Sequence, residues 1–86
     1  MKKQTVSIQL EKGLEARSVA MLVQIASQFE SKVYIEADEK KVNAKSIMGV
    51  MTLALNKGDE LDLVIDGSDE NQAFDKLNNY LLAKVN

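Results

Sequence analysis

The hydrophobic period of this chain switches repeatedly between two residues and three or four, and that switching limits the available folds more than any single residue does. Val6, Ile8 and Leu10 alternate with Thr5, Ser7 and Gln9, the period of a half-buried strand, and Glu11-Lys12-Gly13 ends it. From about Ala16 to Phe29 the apolar residues Val19, Ala20, Leu22, Val23, Ala26 and Phe29 recur at helical spacing, which predicts an amphipathic helix with these residues as its buried stripe. Val33 and Ile35 alternate with Lys32, Tyr34 and Glu36, and Asp38-Glu39 forms a polar turn before Lys41-Val42-Asn43, so a hairpin is expected. Ser46 precedes a short helix expected to close near Asn56-Lys57-Gly58, where Gly58 can take the left-handed conformation of a helix stop. Leu61, Leu63 and Ile65 then alternate with Asp62, Val64 and Asp66 up to Gly67, so the second set is expected on the polar side. After Ser68 or Asp69 as cap, Ala73, Leu77, Leu81 and Val85 fall at intervals of four in a last helix, flanked by Phe74 and Tyr80.

The order is therefore β-α-β-β-α-β-α. Strands that cannot bury both faces, with three helices to cover them, predict an α+β fold: an open-faced two-layer sandwich in which the helices cover one side of a four-stranded antiparallel sheet. Eighty-six residues suit one small core, so a single domain spanning 1–86 is expected. No internal repeat, low-complexity tract or linker interrupts it.

Composition removes most catalytic chemistry. The chain has no cysteine, histidine, tryptophan or proline. Without cysteine there is no disulfide, thiolate ligand or thiol nucleophile, and without histidine the usual general base and zinc ligand are missing. A binding or regulatory module is expected rather than an enzyme, with no cofactor. The net charge of −2 hides an asymmetry: residues 1–58 hold nine Lys/Arg against six Asp/Glu, whereas residues 59–86 hold two against seven. The basic excess is too thin for a nucleic-acid reader, whose signature is a dense Lys/Arg stripe or stacking aromatics. No run approaches the ~20 apolar residues of a membrane span, and no apolar targeting segment follows Met1-Lys2-Lys3, so a cytoplasmic protein is expected. The acids Asp66, Asp69 and Glu70 lack the spacing of a calcium loop and favour the start of the last helix instead.

Between Ile47 and Leu55 seven of nine residues are apolar, Gly49 and Thr52 being the exceptions. A short peripheral helix in a small domain cannot bury all its sides. If Val50, Leu53 and Ala54 point inward, Ile47, Met48 and Met51 are left as an exposed apolar patch, suited to docking because methionine repacks against differently shaped surfaces. The alternative is that all of these residues are core. Ser46 is placed to cap the helix; a phosphate on it would gain from the first-turn N–H groups while adding negative charge beside the patch. Lys40, Lys41 and Lys45 lie just upstream and are placed to attract an anionic partner, with a solvated charged turn as the alternative for Lys40 and Lys41. At the first strand-to-helix junction, Gly13-Leu14-Glu15-Ala16-Arg17-Ser18, Arg17 opposes the helix dipole. It serves either as an anion ligand or as an exposed partner of Glu15.

The chain resembles the HPr family, the histidine-containing phosphocarriers of the bacterial sugar phosphotransferase system, over essentially its whole length. Gly13-Leu14-Glu15-Ala16-Arg17 resembles the family's active-site junction. Asn43-Ala44-Lys45-Ser46-Ile47-Met48-Gly49-Val50-Met51-Thr52-Leu53 is similar to its regulatory serine segment. Two departures stand out: Glu15 occupies the place of the phosphorylated histidine, and Ser18 stands where proline is common. A carboxylate offers no reversible nitrogen nucleophile, so histidine-type phosphotransfer is not expected. The combination of an intact serine and a missing histidine is similar to the family's catabolite repression HPr-like (Crh) branch, which has glutamine at the position of Glu15.

The resemblance implies that Ser46 is phosphorylated by HPr kinase/phosphorylase. It further implies a partner surface of Arg17, Ala20, Met21 and Gln24 with Ile47, Met48 and Met51, docking on a LacI-type regulator such as catabolite control protein A. The alternative is a phosphotransferase component that engages Enzyme I, with Glu15 as an acyl-phosphate acceptor or a mimic of phosphohistidine. A third reading is a generic binding sandwich that shares only the fold. A monomer or weak dimer is expected, with exchange of the N-terminal strand as one route to the dimer.

Overall fold

The computed structural model describes residues 1–83. The elements are β1 (Lys2–Ser7), α1 (Ala16–Ala26), β2 (Lys32–Ala37), β3 (Lys40–Asn43), α2 (Ile47–Met51), β4 (Glu60–Asp66) and α3 (Glu70–Leu81), in the predicted order. The strands form one antiparallel sheet in the order β1-β4-β2-β3, and the helices lie on one side of it. Val33, Ile35, Leu61, Leu63 and Ile65 face the helices and are buried, meeting Val19, Leu22 and Ala26 of α1 and Ala73, Leu77 and Leu81 of α3.

On the open face the side chains are mostly polar and in register. Thr5, Asp62, Glu36 and Lys41 form one row across the four strands; the Thr5 hydroxyl donates to Asp62 (2.6 Å) and Lys41 approaches Glu36 at 3.9 Å. In the next row Val64 is flanked by Lys3 and Tyr34 and is itself buried, although the alternation had assigned it to the polar side. Asp38 and Glu39 both have positive φ (50° and 65°) and join Ala37 to Lys40, as the two central residues of a type I′ hairpin turn require.

Several boundaries differ from the periodicity. β1 starts and ends three residues earlier than Thr5 to Leu10, because its partner β4 begins at Glu60 opposite Ser7. Beyond that pair the chain bonds elsewhere: Ile8 N–H donates to Asp59 O and Gln9 N–H to Leu81 O, both at 2.8 Å. α1 stops at Ala26, so Phe29 packs from the following loop, and Ala20 is exposed on the helix's outer face rather than in the buried stripe.

The largest difference concerns α2, which ends at Met51 rather than near Gly58. Leu53 and Leu55 are both buried, a spacing of two that a continuing helix cannot send in one direction. The chain turns between them through Ala54 at φ 50°, which is exposed rather than inward-facing. Gly58 is left-handed as expected (φ 94°), but in the turn that leads into β4, with its N–H on Ile8 O at 2.7 Å. Val85, the last residue of the predicted apolar row on α3, lies outside the described residues.

Asp69 is the N-cap residue of α3, yet its carboxylate does not bond its own helix. It accepts from the backbone N–H of Glu30 (2.9 Å) and Ser31 (3.0 Å) and from the Ser31 hydroxyl. That hydroxyl and the Glu30 N–H favour the charged form and hold Asp69 below the usual carboxylate range. The loop after α1 is thereby tied to the start of α3.

Candidate functional site

The junction before α1 is built by backbone bonds to distant chain. Gly13 closes a turn on Leu10 O (2.9 Å) at φ 64°, and the Leu14 N–H donates to Leu55 O (2.9 Å) while the Leu14 side chain enters the core. Glu15 is then the extended N-cap of α1. Its N–H donates to Ser18 Oγ (2.8 Å), and that hydroxyl donates back to Gly13 O (2.7 Å), so Ser18 laces the loop to the first helical turn. From α3, the Tyr80 hydroxyl donates to Ser18 O (3.0 Å), and burial raises the Tyr80 phenol above its ordinary value.

In the sequence Tyr80 is only a flank of α3 and Ser18 only a departure from proline; their joint role depends on residues sixty-two positions apart meeting in space. Glu15 and Arg17 are exposed at the rim of a shallow depression of about 290 Å³, with Leu10, Met21 and Tyr80 among its lining residues. Among the described residues Arg17 makes no ion pair with Glu15, so that alternative is not realised, and no acidic residue sits in the first turn of α1 to neutralise the arginine.

Ser46 is the N-cap of α2. Its Oγ accepts the Gly49 N–H at 3.2 Å, its C=O accepts from Val50 N–H (3.1 Å), and its own N–H donates to Asn43 O (3.0 Å). Asn43 Oδ1 also takes the Lys45 N–H at 2.8 Å, so β3 leads into the cap through a fixed turn. Ser46 is half-buried.

The three upstream lysines each have an internal partner. Lys45 Nζ donates to Phe29 O (2.7 Å), Lys40 Nζ reaches Thr52 O (3.4 Å) at the end of α2, and Lys41 lies over the Tyr34 ring (4.7 Å) on the open sheet face. Lys40 and Lys41 remain exposed at the surface, as a solvated charged turn would leave them, whereas Lys45 is half-buried and held by Phe29.

Helices α1 and α2 pack against each other, and the residues at issue are their outer surfaces. Ile47, Met48 and Met51 are 46%, 77% and 44% exposed, and Met21 is 46% exposed, which decides the question left open by the apolar run: these side chains are not core. Val50 and Leu53 supply the buried side. Arg17, Ala20, Met21 and Gln24, at offsets of three and four, are all exposed along α1. Exposed apolar groups concentrated on two adjacent helices mark a surface that gains from being covered. Among the described residues no group of three or more carboxylates is placed to hold a metal ion, and no helix is long and apolar enough to cross a membrane.

Known proteins share this fold and much of this sequence. A family described as "PTS HPr component phosphorylation site" matches residues 2–82. The HPr-like protein Crh of Bacillus subtilis is 48% identical over 85 residues, covering 99% of this chain and all of the relative. A crystal structure of that Crh, described as a dimer with a swapping domain, superposes with a TM-score of 0.81 at 48% identity, covering all of this chain and 99% of the other. A crystal structure of the phosphocarrier protein HPr from Bacillus anthracis superposes with a TM-score of 0.90 at 41% identity, covering 93% of this chain and 95% of that one.

Proposed function

The chain belongs to the HPr family, and from that membership we propose that it is a Crh-like regulator of carbon catabolite repression, switched by phosphorylation at Ser46 rather than acting as a histidine phosphocarrier. The observation that carries this reading is the pairing of a half-buried N-cap serine with an exposed methionine surface on α1 and α2, in a chain that contains no histidine. HPr kinase/phosphorylase is the proposed modifying partner.

Phosphorylation of Ser46 adds about 1.5–2 negative charges and three acceptor oxygens at the first turn of α2. The fold does not have to change, because the phosphate can still accept the Gly49 N–H that the hydroxyl now accepts. The new charge stands beside Ile47, Met48 and Met51. A LacI-type regulator such as catabolite control protein A would read phosphate and apolar patch together, with Arg17, Ala20, Met21 and Gln24 completing the contact. Apolar burial supplies affinity, and the phosphate decides when docking occurs. The reading places the protein in the cytoplasm as a phosphoacceptor and binding module rather than an enzyme.

Incubation with HPr kinase/phosphorylase and ATP, followed by peptide mass spectrometry, tests it. A single phosphate on Ser46 is expected, absent in Ser46→Ala. Modification elsewhere, or none, overturns the reading.

The similarity to a phosphocarrier protein keeps a second function in view, engagement of Enzyme I within the phosphotransferase chain. It predicts label on this chain from phosphoenolpyruvate and Enzyme I, whereas the exposed Glu15 carboxylate, with no imidazole anywhere in the sequence, predicts none. The swapped arrangement of the Crh relative suggests a weak dimer in which β1, bonded along its length to β4, exchanges between copies. Concentration-dependent sedimentation tests that assembly.

A further inference from the structure

Gly49 is the third residue of α2 and half-buried. After proline, glycine is the poorest helix former, and a protein usually keeps it where φ is positive or where no Cβ fits. Neither reason applies here. Gly49 is not among the residues with positive φ. A Cβ built on it would meet Ser46 Oγ at 3.4 Å, Val42 Cβ at 3.5 Å and Ser46 Cβ at 3.6 Å, all ordinary contacts. Gly13 and Gly67 differ, since a Cβ there would come within 3.0 Å of its neighbours.

Alanine would therefore fit at position 49 and stabilise the helix, and folding gives no account of why the side chain is missing. Two of the three atoms that a Cβ would touch belong to Ser46. The cause is geometric: the Cα–Cβ bond in a helix leans toward the N-terminus, so residue 49 overhangs residue 46. The volume left open is the space over the Ser46 hydroxyl.

We propose that Gly49 determines whether Ser46 can be phosphorylated, by keeping one side of the hydroxyl clear for the phosphoryl donor and for the phosphate once attached. This inference rests on the reading of Ser46 as the modified residue. In the transfer, the Ser46 Oγ–H proton passes to a base of the kinase and Oγ bonds to the γ-phosphorus of ATP. The bond from that phosphorus to its bridging oxygen breaks, and ADP leaves. The incoming phosphorus needs an unobstructed approach to Oγ, and a methyl group 3.4 Å away narrows it. A helix weaker than it needs to be, retained beside a reactive group, is a trade of stability for function.

The test compares the full unaltered chain with Gly49→Ala and Gly49→Val in thermal melts and in steady-state phosphorylation by that kinase with ATP, the site being identified by mass spectrometry. Gly49→Ala is expected to raise Tm by about 4–8 °C. It should leave KM within about twofold and lower kcat about tenfold or more, because docking is intact and only the approach to Oγ is obstructed. Gly49→Val separates obstruction from helix stiffening. Its branched side chain forfeits the stability gain yet fills more of the space, so its kcat should fall below that of Gly49→Ala. A Gly49→Ala chain phosphorylated at the unaltered rate, or a Gly49→Val chain phosphorylated faster than Gly49→Ala, overturns this proposal and leaves the Ser46 reading standing. If the unaltered chain itself is not modified at Ser46, both fall together.

Discussion

Replacing Gly13 by alanine should be far more damaging than replacing Gly58, and the contrast measures how tightly the site's loop is held. Both glycines are left-handed, at φ 64° and 94°. That conformation costs a residue with a Cβ about 1–2 kcal/mol. At Gly58 nothing lies within 4 Å of the new methyl, so this is the whole penalty. At Gly13 the methyl would stand 2.7 Å from Asn56 Cα and from Leu55 O, and 3.0 Å from Asn56 C. These are backbone atoms that no rotamer change can remove, and such overpacking adds about 1–3 kcal/mol.

The expected losses are about 1–2 kcal/mol for Gly58→Ala and about 2–5 kcal/mol for Gly13→Ala. A domain of this size has a total stability of roughly 4–13 kcal/mol, so the Gly58 variant stays folded and the Gly13 variant stays measurable or unfolds. Urea unfolding followed by far-ultraviolet circular dichroism gives both values. Amide exchange at Leu14 gives a local check, because relief of the overlap pulls its N–H away from Leu55 O. If Gly13→Ala is no more destabilised than Gly58→Ala, the account of a loop clamped against Leu55 and Asn56 is wrong.

Ser46→Ala removes the side-chain acceptor of the Gly49 N–H and should cost about 1 kcal/mol in urea unfolding, whereas Ser46→Asp, which keeps an N-cap acceptor, should cost less. Tyr80→Phe deletes the bond to Ser18 O and should lower stability by about 0.5–1.5 kcal/mol, with faster amide exchange through the first turn of α1 as the local readout. Asp69 is held below the usual carboxylate range, so its contribution is complete at neutral pH and is lost as pH falls through the lowered value; Asp69→Asn should be less stable at pH 7 and should lose that part of the acid dependence in pH-resolved melts. Met48→Ala, at 77% exposure, should leave Tm within about 2 °C while weakening regulator binding by the phosphorylated protein at least about tenfold in calorimetry; equal affinity would exclude Met48 from the docking surface.

The alternation of Leu61, Leu63 and Ile65 and the four-residue spacing of Ala73, Leu77 and Leu81 gave those elements their type and inner faces, because each pattern is local and its period is imposed by backbone geometry. The residues around Ser46 were equally legible as a cap. Where elements end was less so. Nothing in the run from Ile47 to Leu55 says that the helix must stop at Met51; that follows from Leu53 and Leu55 both finding core beneath them, and from Leu14 bonding the Leu55 carbonyl across the site. Ala20 reads as apolar and therefore inner, but one methyl is too weak a signal to set a helix's rotation, and the larger Val19 and Leu22 set it.

Residue order alone set the succession of strands and helices, the absence of any imidazole and the presence of a capping serine beside methionines. These depend only on residue identity and near-neighbour spacing. What the polar groups do was settled by three-dimensional packing. Asp69 serves a loop thirty-eight residues away instead of its own helix, Lys45 is bound to Phe29 O, and Tyr80 secures the junction at Ser18. It also decided that Ile47, Met48 and Met51 remain outside. A hydrogen bond or a buried contact is a relation between two groups, and one partner's identity leaves open which groups the folded chain will bring within reach.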